Sequence, residues 1–320
     1  MIAAMSSLQT AVSTIVGRCL AVKAGEEVLV IADPGTRGIG EELRDGAGEA
    51  GADAVLAVMD ARAENGNEPP RALAAAMREA DVVIAPTSKS LSHTAARRRA
   101  TEAGARCATL PGVTEDMLGR MMAVDFERMA ARSRAVAALL TAAGEARLTC
   151  PRGSDLTVDL TGREGIADDG DLTRRGAFGN LPCGEGFIAP LGGEGTIVAS
   201  SLASLGLAEE PATITVEAGL IASAEGGQGP AFLKRLSEHG AEGRNLAELG
   251  VGTNDRAKLT GVILEDEKIL GTVHVAFGAS AAIGGTVAVP VHLDAVVLEA
   301  TLDIGGRRVL ESGRYVLDEA

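Results

Sequence analysis

Aromatic side chains are the scarcest feature of this 320-residue sequence: they make up 2% of it, with no Trp and a single Tyr, Tyr315. Proteins that bind nucleic acids need basic groups for the phosphates and, for single strands, aromatic rings on which bases stack. The formal net charge here is −14, with an isoelectric point near 4.8. The chain therefore lacks both features, and we expect it not to bind nucleic acids.

Long apolar runs and paired cysteines are also missing. No apolar stretch reaches the roughly 18 uninterrupted residues of a membrane-spanning helix, so we expect no membrane span. The apolar N-terminal segment has no basic residue before Arg18, which favours an amphipathic helix over a signal peptide. The four cysteines, at positions 19, 107, 150 and 183, form no Cys-x-x-Cys pair. We expect reduced thiols in a cytoplasmic protein.

The first 146 residues alternate short apolar runs with helical patterns. The predicted strands are residues 26–33, 52–60, 81–86 and 105–112, and the predicted helices are 39–50, 69–80, 93–104 and 125–143. Strands that alternate with helices of this length are typical of parallel βαβ units, and such strands are apolar because both sheet faces are covered. We predict an α/β, Rossmann-like domain with a parallel sheet over residues 1–146.

From residue 147 onward, most candidate strands are separated by Gly, Pro and Asp turns. The predicted strands are residues 154–160, 194–200, 212–223, 269–278, 291–304 and 307–313, with one helix at 229–239. The adjacent Gly305 and Gly306 lie between two strand-like runs, which indicates a hairpin. We predict a β-rich (α+β) catalytic domain over residues 147–320.

One glycine-rich segment, residues 33–43, follows the first predicted strand where a dinucleotide-binding loop would lie. Its Pro34 has no N–H to donate to a phosphate. We therefore interpret the segment as an ordinary turn from strand to helix and predict no nucleotide cofactor.

Carboxylates and imidazoles of the second half lie in apolar or glycine-rich runs, where an unpartnered carboxylate is costly to bury. The five candidates are Glu185 in 179–190, Glu248 in 245–254, His274 in 271–278, and His292 and Asp294 in 291–297. Each one alone fits a structural role, such as a hydrogen-bonded core histidine or a turn cap. Residues two apart in a strand point to one face, so His292 and Asp294 can address one ligand. Imidazoles and carboxylates together suit Zn, Mn, Co or Fe(II).

Four blocks in this half resemble, in order, the signature blocks of the M29 metallopeptidases, the group of aminopeptidase T and aminopeptidase S. The blocks are GNLPCGEGFIAP (179–190), NLAELGVGTN (245–254), LEDEKILGTVHVAFG (264–278) and VHLDAVV (291–297). The resemblance is close over about 175–300 and looser over the N-terminal half. It implies an α/β domain followed by a β-rich catalytic domain, and a homodimer that encloses the active sites. It also implies two divalent metal ions that serve the removal of N-terminal residues from peptides. The substrate is then expected to be a small peptide or another small molecule.

The family's metal ligands match, block by block, Glu185, Glu248, His274, His292 and Asp294. One carboxylate, for which we choose Glu185, could instead act as the general base on a water molecule. The family peptidases add a Tyr ligand after the strand His, but the stretch AFGASAAIGG (276–285) contains none. We interpret the acidic run EDEK (265–268) as a solvated turn before the His274 strand, although its place in the third family block leaves a role in the site open.

A second branch of the superfamily also resembles the chain: the 2,5-dihydroxypyridine dioxygenases, which are mononuclear iron enzymes that cleave rings. Their signature is a His, fifty-two residues, and a His-x-Asp pair, a count that His239, His292 and Asp294 satisfy because residues 240–291 lie between the two histidines. Block order instead puts Glu248 at the place of the first His. His239 lies at a predicted helix end, where we expect a solvated side chain.

The sequence therefore leaves three hypotheses. The first is a metal-dependent hydrolase that acts on an amide at a free N-terminus. The alternative is a non-haem Fe(II) ring-cleaving dioxygenase of a hydroxylated N-heterocycle, with His274, His292 and Asp294 as its ligands. The third is a non-catalytic binding protein that kept the fold.

Overall fold

A computed structural model describes residues 6–317, apart from the side chain of Ala208. The chain separates into two compact units. The first unit runs to Val124 and includes Gly170–Cys183, and the second consists of Asp125–Asp169 and the chain from Gly184 onward. The division predicted at residues 146 and 147 gives each domain one continuous stretch, whereas in the structure each unit takes a segment from both sides of that point.

The first unit contains a five-stranded parallel sheet with the strand order β2-β1-β3-β4-β8, as the alternating pattern predicts. Its strands are β1 (Glu27–Ala32), β2 (Asp53–Val58), β3 (Val82–Ala85), β4 (Arg106–Thr109) and β8 (Phe178–Asn180). Its helices are α1 (Ser7–Ser13), a π-helical continuation (Thr14–Cys19), α2 (Arg37–Glu49), α3 (Arg71–Glu79), α4 (Ala95–Ala103) and α5 (Glu115–Met121). The β8 residues, Phe-Gly-Asn, carry too little apolar pattern to indicate a strand.

In this unit, several helices and strands begin or end at side chains that accept hydrogen bonds from backbone N–H groups. Ser6 and Gln9 form a capping box at the start of α1, and Thr94 caps α4. The Asp33 carboxylate follows β1 and accepts hydrogen bonds from the backbone N–H and the hydroxyl of Ser88, at 2.6 and 2.8 Å. The turn after β1 is therefore closed by contacts within the chain.

The second unit contains a 13-stranded, antiparallel sheet. Its strands in the first part are β5 (Glu145–Thr149), β6 (Asp155–Asp159), β7 (Ile166–Asp168), β9 (Glu185–Ile188), β10 (Gly192–Leu202), β11 (Gly206–Glu217) and β12 (Leu220–Glu225). The later strands are β13 (Leu246–Gly252), β14 (Val273–Gly278), β15 (His292–Val297), β16 (Thr301–Ile304), β17 (Arg307–Glu311) and β18 (Arg314–Tyr315). The helical segments are α6 (Phe126–Ala142), α7 (Gly229–Ser237), α8 (Gly240–Gly243), α9 (Ile263–Asp266) and a short 3₁₀ turn (Ala281–Ile283).

Strand order in this sheet is β18-β17-β16-β5-β6-β10-β15-β14-β13-β9-β7, and the β11–β12 hairpin extends from β10. The hairpin predicted at Gly305 and Gly306 connects β16 and β17. The run 212–223, predicted as one strand, is instead a hairpin, because Ala218 and Gly219 both adopt positive φ and reverse the chain. An Ala at such a turn gives no sequence signal.

Alternate residues of these strands build the core of the second unit. Examples from three neighbouring strands are Leu249, Val251, Val275, Phe277 and Ala295, all with no exposed surface. Helix α6 begins at the cap residue Asp125 and adds Val136 and Leu140 to this core. Within residues 6–317, no helix has the length and apolar character to cross a membrane.

Candidate metal centre

Four adjacent strands, β9, β13, β14 and β15, carry all five predicted ligand residues. Directly opposite residues of paired strands lie on the same face of a sheet. The relevant pairs are Glu185 with Gly252, Gly250 with His274, Glu248 with Ala276, Ala276 with Asp294, and Gly278 with His292. The register therefore places the five side chains on one face, and the apolar residues between them on the core face.

A β-bulge adjusts the start of β13. The pairing register shifts between Leu246 and Glu248, so Leu246 lies opposite Phe277 and joins the core. Without the extra residue, Leu246 would alternate onto the face of Glu248. The bulge thus lets one strand supply both a core side chain and a site carboxylate.

The imidazole of His274 lies across the backbone of Gly250 on the neighbouring strand. A Cβ added at Gly250 would overlap Nε2 of His274. Only glycine leaves room for the ring at this position, because every other residue carries that carbon. The glycine of the block NLAELGVGTN is thus part of the site's construction.

The five predicted residues form one continuous cluster. Nε2 of His274 lies 3.1 Å from Oε1 of Glu248 and 3.2 Å from Oε2 of Glu185. Nε2 of His292 lies 3.3 Å from Oε2 of Glu248 and 3.6 Å from Oδ1 of Asp294. Glu248 therefore presents one oxygen to each imidazole. His274 is completely buried, and the side chain of His292 is 12% exposed, the most open of the five.

These residues fit a divalent metal ion. Ligand atoms of Glu185, Glu248 and His274 all lie within 4.8 Å of one another. Within the described chain, no hydrogen bond reaches Oε2 of Glu185, although this oxygen is buried. Nδ1 of His292 is 2.7 Å from the carbonyl oxygen of Ala279 and donates to it, so Nε2 faces carboxylate oxygens. Because these oxygens carry negative charge, the arrangement is stable only with a positive charge at Nε2, which either a proton or a metal ion can supply.

Without a metal ion, protons hold this cluster together. Burial by itself lowers the pKa of His274, but the hydrogen bond to Glu248 and the charge of Glu185 outweigh it and raise the pKa to about 9. The pKa of His292 is also raised well above its ordinary value, since Asp294 and Glu248 outweigh burial. Burial raises the pKa of Glu248, yet its bonds to both imidazoles leave it below its usual range. The metal-free cluster thus carries two imidazolium groups.

Three charged neighbours of the cluster are not among the five predicted site residues: Asp168, Glu267 and Lys268. Nζ of Lys268 donates to Oε1 of Glu267 at 2.6 Å and to Oε1 of Glu185 at 3.0 Å. Oδ2 of Asp168 lies 3.8 Å from the same ammonium. Asp168 is opposite Glu185 in the β7–β9 pair, and Glu267 and Lys268 follow α9. The only sequence signal for Glu267 and Lys268 is the block LEDEKILGTVHVAFG itself, and Asp168 lies outside all four blocks.

The solvated turn predicted at 265–268 is therefore wrong. All four residues are buried, and Lys268 has no exposed surface. The interpretation failed because a run of charges in a turn is ordinarily solvated, whereas here Lys268 pairs with the carboxylates of Glu267 and Glu185, and neutral donors bind the carboxylate of Asp266. Burial raises the pKa of Glu267 to about 8 and also raises that of Asp168, with Lys268 opposing both shifts. Burial lowers the pKa of Lys268, but Glu185 and Glu267 raise it well above its ordinary value.

Two other residues raised by the sequence lie on different elements. His239 is half-buried in the turn between α7 and α8, and its backbone carbonyl accepts the N–H of Gly243. Tyr315 belongs to β18, at the opposite end of the strand order from β7 and β9. Its ring packs against the core and lies 5.8 Å from the guanidinium carbon of Arg132. Neither residue is on the four site strands.

Comparisons with known proteins find one matching family model and solved structures with a similar fold. A family model described as 2,5-dihydroxypyridine 5,6-dioxygenase matches residues 8–317. The fold is similar to that of a 2,5-dihydroxypyridine dioxygenase from Pseudomonas putida KT2440, with a TM-score of 0.83, 19% identity and coverage of 99% of both chains.

The fold is also similar to that of AmpT from Thermus thermophilus, with a TM-score of 0.71 and 21% identity. This match covers 97% of the present chain and 99% of AmpT. No curated protein matches the sequence. At these identities the two solved structures establish the shared fold alone, and the family is shown by the model that matches residues 8–317.

Proposed function

The chain belongs to the 2,5-dihydroxypyridine 5,6-dioxygenase family, and within this enzyme family we propose that it is a metal-dependent hydrolase that cleaves an amide at a free N-terminus. The observation that carries the proposal is the composition of the cluster. Three carboxylates, Glu185, Glu248 and Asp294, converge there with two imidazoles. An Fe(II) oxygenase triad needs two imidazoles and one carboxylate, so two of these carboxylates would not be metal ligands.

The residues that would hold one or two divalent ions are Glu185, Glu248, His274, His292 and Asp294. Bound there, Zn, Co or Mn would polarise a scissile carbonyl and lower the pKa of water. The bond from Nδ1 of His292 to the Ala279 carbonyl orients that ring toward the cluster. Glu248 separates the two imidazoles with its two oxygens, which fixes their spacing.

Glu185 is our choice for the general base. Its Oε1 is anchored by Lys268, and its buried Oε2 faces the cluster without a hydrogen bond from the described residues. An oxygen in this position can take a proton from a neighbouring water molecule and pass it to a leaving amine. The substitution Glu185→Gln separates base from ligand: loss of turnover with metal retained identifies the base, and loss of metal identifies a ligand.

Charge supports a free amino terminus as the group that the site recognises. Asp168 and Glu267 add two carboxylates beside the five-residue cluster, and each side chain is 11% exposed. A site with this excess of carboxylates favours a cationic group such as a protonated amine over an anionic one.

The second candidate function is an Fe(II) ring-cleaving dioxygenase. The family match over nearly the whole chain favours it, and so does the presence of His274, His292 and Asp294 on one sheet face. In this case Glu185 and Glu248 would balance positive charge in the site and orient the imidazoles that they contact.

The test begins with protein stripped of metal and loaded separately with Zn, Co, Mn or Fe(II). We expect hydrolysis of aminoacyl anilides with a free amine and none of their N-acetylated counterparts. Oxygen uptake with 2,5-dihydroxypyridine is measured on the Fe(II) form. Oxygen consumption without hydrolysis contradicts our proposal and supports the dioxygenase, and inactivity of metal-loaded protein in both assays supports a binding protein.

A further inference from the structure

A lysine ammonium lies at one end of the cluster, where solvent does not reach it. Nζ of Lys268 is surrounded by carboxylate oxygens of Glu267, Glu185 and Asp168, at 2.6, 3.0 and 3.8 Å. These three residues, which we call the carboxylate chamber, come from three separate chain segments. Burial of an ammonium is costly unless oxygen atoms replace its water shell, and the chamber supplies them.

The backbone holds Lys268 in this position. Its N–H donates to the carbonyl of Glu265 at 3.0 Å, and its carbonyl accepts the N–H of Asn254, directly after β13, at 2.9 Å. In the preceding turn, Asp266 accepts the N–H of Thr260 at 2.7 Å and the hydroxyl of Ser201 at 2.7 Å. The ammonium therefore occupies a built position and not one rotamer of a mobile side chain.

Glu185 connects this ammonium to the metal centre. Its Oε1 accepts from Lys268, and its Oε2 lies 3.2 Å from Nε2 of His274. Glu248 repeats the arrangement, with one oxygen toward His274 and the other toward His292. Cation positions and bridging carboxylates thus alternate along the cluster, which is how like charges can be buried side by side.

We propose that Lys268 is a built-in cation of the metal centre: it takes the position that an additional ion would occupy in the carboxylate chamber and leaves only Oε2 of Glu185 facing the metal centre, whether as ligand or as base. Lys268 is a positioning residue, since it acts through Glu185. The proposal rests on the metal centre of the proposed function but not on the reaction.

The experiment counts bound ions. Wild-type protein, Lys268→Gln, Lys268→Arg and the control Lys234→Gln, which changes an exposed lysine of α7, are stripped of metal and titrated with Mn²⁺. Elemental analysis after desalting gives ions per chain, calorimetry gives affinities, and electron paramagnetic resonance reports the Mn²⁺ environment. We expect Lys268→Gln to hold one more Mn²⁺ than wild type, with an altered resonance spectrum. Lys268→Arg and Lys234→Gln keep the wild-type count.

A folded Lys268→Gln with the wild-type count and affinity overturns the proposal. If that variant does not fold, lysine-labelled ¹⁵N resonance spectra of wild type decide. A protected Lys268 ammonium signal that persists and shifts on loading with diamagnetic Zn²⁺ supports the proposal, and a signal that disappears or stays unshifted refutes it. An extra ion in Lys268→Gln without amide hydrolysis in wild type keeps this proposal and removes the proposed reaction.

Discussion

Glu248 is the residue that links the two halves of the metal centre. Its two oxygens contact different imidazoles, at 3.1 Å for His274 and 3.3 Å for His292, and its carboxylate is buried. Its neighbours along β13 are all apolar, so the groups that stabilise its buried charge lie on the adjacent strands. This also answers the competing sequence count, because Glu248, and not His239, stands among the site residues.

Glu248→Gln therefore tests the centre most directly. The amide keeps the size of the side chain but removes the charge and one ligand oxygen, so we expect the affinity for Zn²⁺ or Mn²⁺ to fall at least about tenfold. His239→Ala and the exposed Glu194→Gln are the controls, and both should match wild type in calorimetric titration. If His239→Ala loses as much metal affinity as Glu248→Gln, the proposed ligand set is contradicted. That result would support His239, His292 and Asp294 as the ligands instead.

The raised pKa of His274 gives the metal-free protein a specific pH dependence. The pKa is about 9 in the folded chain against an ordinary 6.5, so folding tightens proton binding. The resulting stability, up to about 3 kcal/mol, is fully present below pH 6.5 and is lost as pH rises through about 9. We expect the Tm of metal-free protein to fall over this range.

Metal competes with the same proton, so its affinity should rise with pH over the same interval. Thermal unfolding of stripped and loaded protein between pH 6 and 9.5 checks the first expectation, and calorimetry in two buffers of different ionisation enthalpy counts released protons. A Tm of metal-free protein that climbs toward pH 9, or proton uptake on metal binding, speaks against the imidazolium description.

At the scale of elements, pairing register brings the site together. Each site strand alternates core and site residues, and β13 to β15 pair closely enough that one ring reaches across to the next backbone. His274 crosses Gly250 in this way, so the geometry depends on a residue without a side chain.

Gly250→Ala should displace the His274 ring and weaken metal binding by at least about tenfold, the range seen when a ligand loses its orientation. Gly48→Ala is the matched control, because its new Cβ meets no atom within 4 Å and lies on the exposed side of α2. That variant should keep metal affinity and gain about 0.5–1 kcal/mol of stability from reduced chain entropy. Chemical denaturation measures the stability and metal titration measures the affinity. Unchanged metal affinity in Gly250→Ala would contradict the close approach of the His274 ring to the Gly250 backbone.

How far the sequence could predict these elements depended on their length and pattern. The strands β1, β3 and β14 are predictable because they are continuous apolar runs, and α6 is predictable because it is a long Ala-rich helical stretch. The β11–β12 turn at Ala218 and the three-residue strand β8 follow from tertiary contacts and have no local signal. The site shows the same limit: four blocks identified five ligand-type residues, but the burial of Lys268 depends on carboxylates distant in sequence.

At the scale of the whole molecule, the net charge of −14 acts together with the carboxylates of the centre. An acidic surface raises the local concentration of cationic ligands and lowers that of anionic ones, and salt screens the effect over about 10 Å at 0.1 M. Under the proposed hydrolase function, this makes the overall charge a determinant of substrate capture and not of the chemical step.

We therefore expect kcat/KM for a lysine-containing dipeptide with a free amine to fall several-fold between about 0.02 and 0.2 M salt, as for an electrostatically steered encounter. A glutamate-containing dipeptide with the same scissile bond should show the opposite trend, because screening removes repulsion. The kcat of both should stay constant, since salt does not reach the buried His274 and Glu248. Equal salt dependence for the two substrates, or an effect confined to kcat, would show that the acidic surface has no part in capture and that selectivity arises within the centre.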